Sequence, residues 1–255
     1  MKIASWNVLH LIHECNYEYD TSFVLAKYNI KQDITNESKR LADIVNVIKK
    51  LLADGTIVCL QEVPGDLLTM LRYINSVVVY DYKYPRVPSL KTKPGLKIYE
   101  DPCEYLVVVV PNTSVTTQPH VIQFDDLGKA CQIVKTNGFT ILNVHMPLMA
   151  AARHKALESI VEYTNKLGSD FVLVGDMNMR VSDLRQELNS LNVKNYNIVV
   201  MNKDTHKKNK LNKPYYSKID HAVIPATLKA TDISVGEDND MSDHFIITFD
   251  VSQSK

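Results

Sequence analysis

Apolar residues fall along this chain in two rhythms. Short runs rich in Val, Ile and aromatic residues carry the signal of buried strands. They lie at Ile3 to Val8, Thr56 to Leu60, Val77 to Tyr82, Tyr105 to Val110, Val115 to Phe124 and Ala130 to Thr136. Further runs lie at Phe139 to His145, Phe171 to Gly175, Tyr196 to Met201, Ile219 to Ile224 and Phe245 to Val251. Longer stretches repeat apolar positions with the helical period. Ser38 to Ala53 places Leu41, Ile44, Val45, Ile48, Leu51 and Leu52 on one side, with Gly55 as a stop. Asp66 to Ile74, Ala151 to Leu167 and Ser182 to Leu191 read the same way, the last with Ser182 as N-cap. Many strands with few helices between them predict an α/β sandwich of two packed sheets flanked by helices. No repeat or low-complexity linker interrupts the pattern, so one domain is expected over residues 1–255.

Polar residues gather where the apolar runs stop. Asn7 follows the first strand and Glu62 the second; His145 ends a later one, and Asp176 and Asn178 follow Val172-Leu173-Val174-Gly175. Asp220 opens a late strand, and Asp243 and His244 precede the last. Taken singly, each has an ordinary role as a turn, cap or backbone hydrogen-bonding residue. Together they form a chemically coherent set. Glu62 and Asp243 are hard oxygen ligands suited to Mg²⁺ or Mn²⁺. Asp220 with His244 makes an oriented imidazole, Asn7, Asn178 and His145 offer donors to phosphate oxygens, and Asp176 suits the orientation of an attacking water.

The same segments carry a resemblance. Trp6-Asn7, Leu60-Gln61-Glu62-Val63, Asn143-Val144-His145, Gly175-Asp176-Met177-Asn178, Ile219-Asp220-His221 and Ser242-Asp243-His244 occur in the order found in the endonuclease/exonuclease/phosphatase superfamily, the deoxyribonuclease I-like enzymes. The resemblance implies a four-layer sandwich with two mainly antiparallel sheets and a metal-dependent phosphodiesterase or phosphomonoesterase site. By position it implies Glu62 as metal ligand with help from Asn7 and Asp243. It places Asp176 and Asn178 at the nucleophilic water, His145 on the scissile phosphate, and His244 oriented by Asp220. Branch cues are mixed. His145 stands where apurinic endonucleases usually have Tyr. Trp6-Asn7-Val8-Leu9 resembles deadenylases, Gly175 to Arg180 resembles tyrosyl-DNA phosphodiesterases, and Ser217 to His221 resembles LINE-type endonucleases. The expected substrate is nucleic acid, DNA or RNA. The alternative is an inositol phosphate or phospholipid phosphatase, and the third reading is a non-catalytic binding module.

Charge sharpens the substrate expectation. The 29 basic and 29 acidic side chains cancel overall. Yet Lys83 to Lys97 carries a net +5, and so does Lys203 to Lys218. These two segments are read as basic loops gripping a polyanion through Lys91, Lys93, Lys207 and Lys208, with Arg180 as a further substrate contact. Tyr82, Tyr84, Tyr215 and Tyr216 are read as loop aromatics, open between base stacking and packing. No apolar run reaches bilayer length, and no hydrophobic docking loop is seen, so no membrane partner is expected. The opening residues lack a signal-peptide pattern, and Cys15, Cys59, Cys103 and Cys131 lack metal or redox spacing. An intracellular monomer follows as the expectation. His10, His13, His120, His154 and His206 are assigned structural or solvent-exposed places, His221 the face opposite Asp220, Trp6 and Cys59 the core, and Arg40 a solvated helix face.

Overall fold

The computed structural model describes residues 1–11, 37–86, 99–112, 119–136, 138–167, 170–210 and 213–254. His13, Lys91, Lys93, Lys97 and the expected strand start at Val115 lie outside them. Two six-stranded sheets form the centre. The first runs β13 (Leu228–Val235), β14 (Ile247–Gln253), β1 (Lys2–Asn7), β2 (Ile57–Pro64), β4 (Glu104–Pro111), β3 (Val77–Lys83). The second runs β5 (His120–Gln123), β6 (Ala130–Lys135), β7 (Thr140–His145), β8 (Phe171–Asp176), β12 (Asp220–Pro225), β9 (Tyr196–Val199). Helices α1 (Glu37–Ala53) and α2 (Gly65–Arg72) cover the outer face of the first sheet; α3 (Ala150–Leu167) and α4 (Val181–Ser190) cover that of the second. The expected four-layer α/β sandwich is therefore present.

Burial patterns explain the layering. Strands β2 and β12 are buried at every position, because each presents side chains to a helix layer on one face and to the other sheet on the other. Ile3, Ile57, Cys59 and Val108 from one sheet pack against Ile141, Val172, Val174 and Ala222 from the other. Helix α1 turns Leu41, Ile44, Val45, Ile48 and Leu52 inward, as its period predicts. The layer between the sheets is not wholly apolar. Gln61 donates to Asn143 Oδ1 at 2.7 Å and to Ser5 Oγ at 3.1 Å, and Asn143 donates to the carbonyls of Leu60 and Val107. This buried amide bridge ties the two sheets near the ends of β1, β2 and β7.

At the centre of each sheet one pair of strands is parallel: β1 with β2 and β7 with β8. Each pair is joined through a helix-containing crossover, as parallel pairing requires. The carboxyl ends of all four strands consequently point to one edge. Strands β12 and β14 run antiparallel to β8 and β1 and so begin at that same edge. This geometry gathers the polar strand ends.

Four sequence expectations are revised. Helix α4 starts at Val181 with Arg180 as N-cap; Ser182 lies inside the first turn and bonds Asp183 Oδ1 at 3.1 Å. Strand β13 is half exposed, with a register shift between Thr231 and Ser234, which hides its alternation. Residues read as a second basic loop form a hairpin of β10 (His206–Lys210) and β11 (Lys213–Ser217). Arg40 is 3% exposed, not solvated. Its guanidinium pairs with Glu37 at 2.6 Å and donates to the carbonyls of Val8, Leu9 and Met241. It therefore clamps the turn after β1 to the segment leading into Asp243. Among the described residues no helix is long and apolar enough to cross a membrane.

Replacing Arg40 with Leu should leave Glu37 buried without its partner, at a cost of about 3–5 kcal/mol. For a chain of this size the midpoint of thermal unfolding should fall by about 6–20 °C. A fall of under about 2 °C by calorimetry would show that the clamp is dispensable.

Candidate active site

The parallel registers place the site. In the second sheet His145 stands beside Asp176, and Asp176 stands opposite Asp220. Gly175, at φ +149°, permits this close approach, since a Cβ there would run into the Val144 carbonyl oxygen. In the first sheet two residues, Gln61 and Glu62, sit between the partners of Val107 and Tyr105, a bulge in β2. Glu62 takes the left-handed conformation at φ +56° within that bulge. Its carboxylate accepts from Asn7 Nδ2 at 3.1 Å and from His10 N at 3.2 Å. Asn178, another left-handed residue at φ +48°, donates its backbone N–H to Asp176 Oδ1 at 2.9 Å.

These residues meet across the two sheets. His145 Nε2 lies 3.5 Å from Glu62 Oε1 and 3.4 Å from Asp176 Oδ2. Asn7 Nδ2 spans Glu62 and Asp176, at 3.1 and 3.2 Å. His244 Nδ1 sits 3.0 Å from both oxygens of Asp220, and its Nε2 lies 3.8 Å from Asp176 Oδ2. Trp6 donates to the His244 carbonyl at 3.0 Å, so the core Trp fixes the backbone of that histidine. A cavity of about 520 Å³ opens over Glu62, His145, Asp176, Asn178, Asp243 and His244.

Burying so many ionisable groups shifts their protonation. Burial alone would lower the His244 pKa, but the carboxylates of Asp220, Asp176 and Asp243 and the Asp220 hydrogen bond raise it well above its ordinary value. Asp176 moves the other way from a free carboxylate. Burial and the like charge of Asp220 push it up to about 6, against the pull of His244 and Lys129. The pair therefore holds an imidazolium beside a carboxylate of unusual basicity.

The structure also corrects and extends the expected set. Asn7 turns its Nδ2 to Glu62 and Asp176 and its Oδ1 to the backbone N–H of Leu9 at 3.0 Å. Glu62 and Asp243 do not share one triad. Glu62 clusters with Glu104 and His145, and Asp243 with His206 and His244. His206, assigned above to a structural or exposed place, is 8% exposed and sets its ring against His244, with centroids 4.6 Å apart and the planes tilted by 54°. Lys129 Nζ contacts the His145 ring and lies 4.0 Å from Glu62 Oε1. Tyr84, read as a loop aromatic, is fully buried with its hydroxyl 3.5 Å from His145 Nδ1. Lys129, Tyr84 and Glu104 had no motif around them that could have singled them out. His206 opens the basic run, which offered a weak cue.

Lys207 is not a surface grip. Its side chain is fully buried and pairs with Asp238 and, at 3.4 Å, Asp240. Lys208 and Arg180 do reach the rim, where both engage Tyr215: Lys208 Nζ lies 5.7 Å from the ring centroid and Arg180 donates to the hydroxyl at 2.9 Å. His221 faces away from the cavity, with Nε2 3.1 Å from the carbonyls of Met179 and Lys218. The rim also carries the exposed apolar side chain of Leu148 (67%), followed in the chain by the exposed Met149 (74%).

The donor chemistry suits a hard divalent cation. Glu62 and Glu104 bring carboxylate oxygens together with His145, within 4.8 Å of one another, and Arg86 holds Glu104 from behind at 2.6 Å. Glu62 and His145 are the members of this group that also line the cavity with Asp176.

If Asp220 sustains the charge on His244, the imidazole should keep its proton at pH 7.5. Asp220→Asn should bring its titration down toward the ordinary range of about 6.5. Ring ¹⁵N shifts followed against pH report both; a neutral His244 at pH 7.5 in the unaltered protein would refute the assignment.

The model of the Endonuclease/Exonuclease/phosphatase family matches residues 4–244. Among curated proteins none matches the sequence. Solved structures do. TDP2 from Caenorhabditis elegans superposes with a TM-score of 0.66 at 16% identity, over 99% of this chain and 75% of that one. TDP2 from D. rerio, complexed with a single-strand DNA product, gives 0.68 at 14%, over 99% of both chains. A Bacteroides vulgatus protein described as an endonuclease/exonuclease/phosphatase gives 0.70 at 14%, over 99% and 98%.

Proposed function

This chain belongs to the endonuclease/exonuclease/phosphatase family, and from that premise we propose that it is a Mg²⁺- or Mn²⁺-dependent phosphodiesterase acting on nucleic acid. The observation that carries the reading is the convergence of Glu62, His145, Asp176, Asn178 and the Asp220–His244 pair on one cavity. Phosphoryl transfer asks a protein chiefly for positioning and for charge that meets the developing negative oxygens.

Each residue then has a task. Glu62 holds the divalent ion, with Glu104 and His145 beside it; the ion, when bound, neutralises charge on the phosphate oxygens. Asp176, raised to about 6, is ionised at neutral pH yet basic enough to take a proton from an attacking water. Asn178 Nδ2, 3.4 Å from Asp176 Oδ2, keeps that carboxylate oriented. His244 presents its Nε2 proton to a phosphate oxygen, and Asp220 fixes the ring and its charge. Lys129 adds a fixed positive charge at the floor. At the rim, Arg180 and Lys208 hold Tyr215 and offer cations to the phosphates of a longer strand. The single-strand DNA product held by the D. rerio relative is consistent with a nucleic-acid strand as substrate.

One observation favours a second reading, an inositol phosphate or phospholipid phosphatase: Leu148 and Met149 expose apolar surface beside the cavity. A panel of duplex DNA, single-stranded DNA, RNA, 5′-tyrosyl ends, inositol phosphates and phospholipid vesicles separates the two. Cleavage of nucleic acid and inert lipid substrates are expected; the reverse pattern would overturn the nuclease reading.

Chelator should abolish turnover and Mg²⁺ or Mn²⁺ restore it. Glu62→Gln should lose at least about 100-fold in kcat with an unchanged circular dichroism spectrum, since volume is kept and one carboxylate charge is lost. Full turnover in chelator, or near-normal turnover of Glu62→Gln, would sink the metal mechanism.

A further inference from the structure

We propose that His206, Asp243 and His244 form a second metal site, for a borderline transition ion such as Zn²⁺, distinct from the hard-oxygen centre at Glu62. The three ligand atoms lie within 4.8 Å of one another and all three residues are buried. His206 Nε2 is 3.5 Å from Asp243 Oδ2. That separation is too long for a good N–H···O hydrogen bond. It matches the spacing of two ligands on a tetrahedral ion, which at bond lengths of about 2.0–2.2 Å stand roughly 3.3–3.6 Å apart.

The surroundings are those of a built site. Metal-bound imidazoles characteristically use their second nitrogen to hold an oxygen partner. Here His206 Nδ1 lies 3.0 Å from Ser217 Oγ, and His244 Nδ1 lies 3.0 Å from Asp220. The backbone holds the pieces rigidly: Lys207 N donates to the Asp243 carbonyl at 2.8 Å, and Phe245 N donates to the Thr205 carbonyl at 2.7 Å. The buried Lys207, paired with the exposed Asp238, anchors the hairpin to the same segment. Two imidazoles and one carboxylate favour Zn²⁺ or another borderline transition ion over Mg²⁺, which prefers oxygen alone.

An ion here must displace the Nε2 proton of His244, the proton offered to the phosphate in the phosphodiesterase reading, so binding releases that proton to solvent. On that reading, occupancy inhibits. The site itself does not depend on it, so binding is measured without substrate. Titration of the full chain with Zn²⁺ in excess Mg²⁺ by calorimetry should show one tight equivalent. His206→Ala should remove it, and Glu62→Gln should keep it. Ser217→Ala, which removes no ligand atom, should weaken it by about 10–100-fold. No tight equivalent in the unaltered protein, equal affinity in His206→Ala, or loss of the equivalent with Glu62→Gln would each overturn the site. If zinc binds as described and Mg²⁺-supported turnover is undiminished at full occupancy, the inhibitory role falls while the site stands.

Discussion

The structure turns on an electrostatic constraint. Glu62, Asp176, Asp220 and Asp243 are all at most 8% exposed and sit at one edge of a sandwich. Carboxylates taken from water in such number repel one another and lose hydration, and they stay folded only if donors and cations meet them. The neighbourhood supplies these from separate parts of the chain. Asn7 bridges Glu62 to Asp176, the His244 imidazolium lies between Asp220 and Asp176, and Lys129 sits behind His145. The compensation is dense enough to hold the cluster together, and it leaves Asp176 basic and His244 protonated. Those two protonation states are what a phosphoryl-transfer site needs.

The scaffold serves this edge. A parallel pair at the centre of each sheet points four strand ends the same way, while the amide bridge of Gln61 and Asn143 sets the two sheets in register with each other. Strain is placed where it aims a side chain: the left-handed Glu62 in its bulge and the left-handed Asn178 after β8. Outside the cluster, Arg40 ties the turn after β1 to the segment before Asp243. A helix residue thus helps to locate Asn7 and Asp243 at the edge of the cavity.

The β10–β11 hairpin joins the proposed second metal site to the cavity rim. One end of it brings His206 against Asp243 and His244; farther along, Lys208 and Tyr215 stand at the cavity rim beside Arg180. A single element therefore touches both the carboxylate-rich edge and the cavity rim. Rigid anchoring through Lys207 explains why a lysine-rich segment contains a fully buried lysine.

Periodicity and strand-end chemistry in the sequence determined the layered architecture and brought Glu62, His145, Asp176, Asn178, Asp220 and His244 forward. These signals are local: a buried strand is a continuous apolar run, and a residue that ends it is read directly from position. What the sequence could not decide were pairings between distant segments. Arg40 looked solvated because its partners, Val8, Leu9 and Met241, lie 31 to 201 residues away. Lys207 looked like one more surface charge because its burial depends on Asp238. His206 looked solitary because Asp243 and His244 reach it only through the folded hairpin. Charge alone does not reveal burial. Whether a polar side chain meets water or a buried partner is decided by tertiary packing, where the cost of desolvation is either met or not.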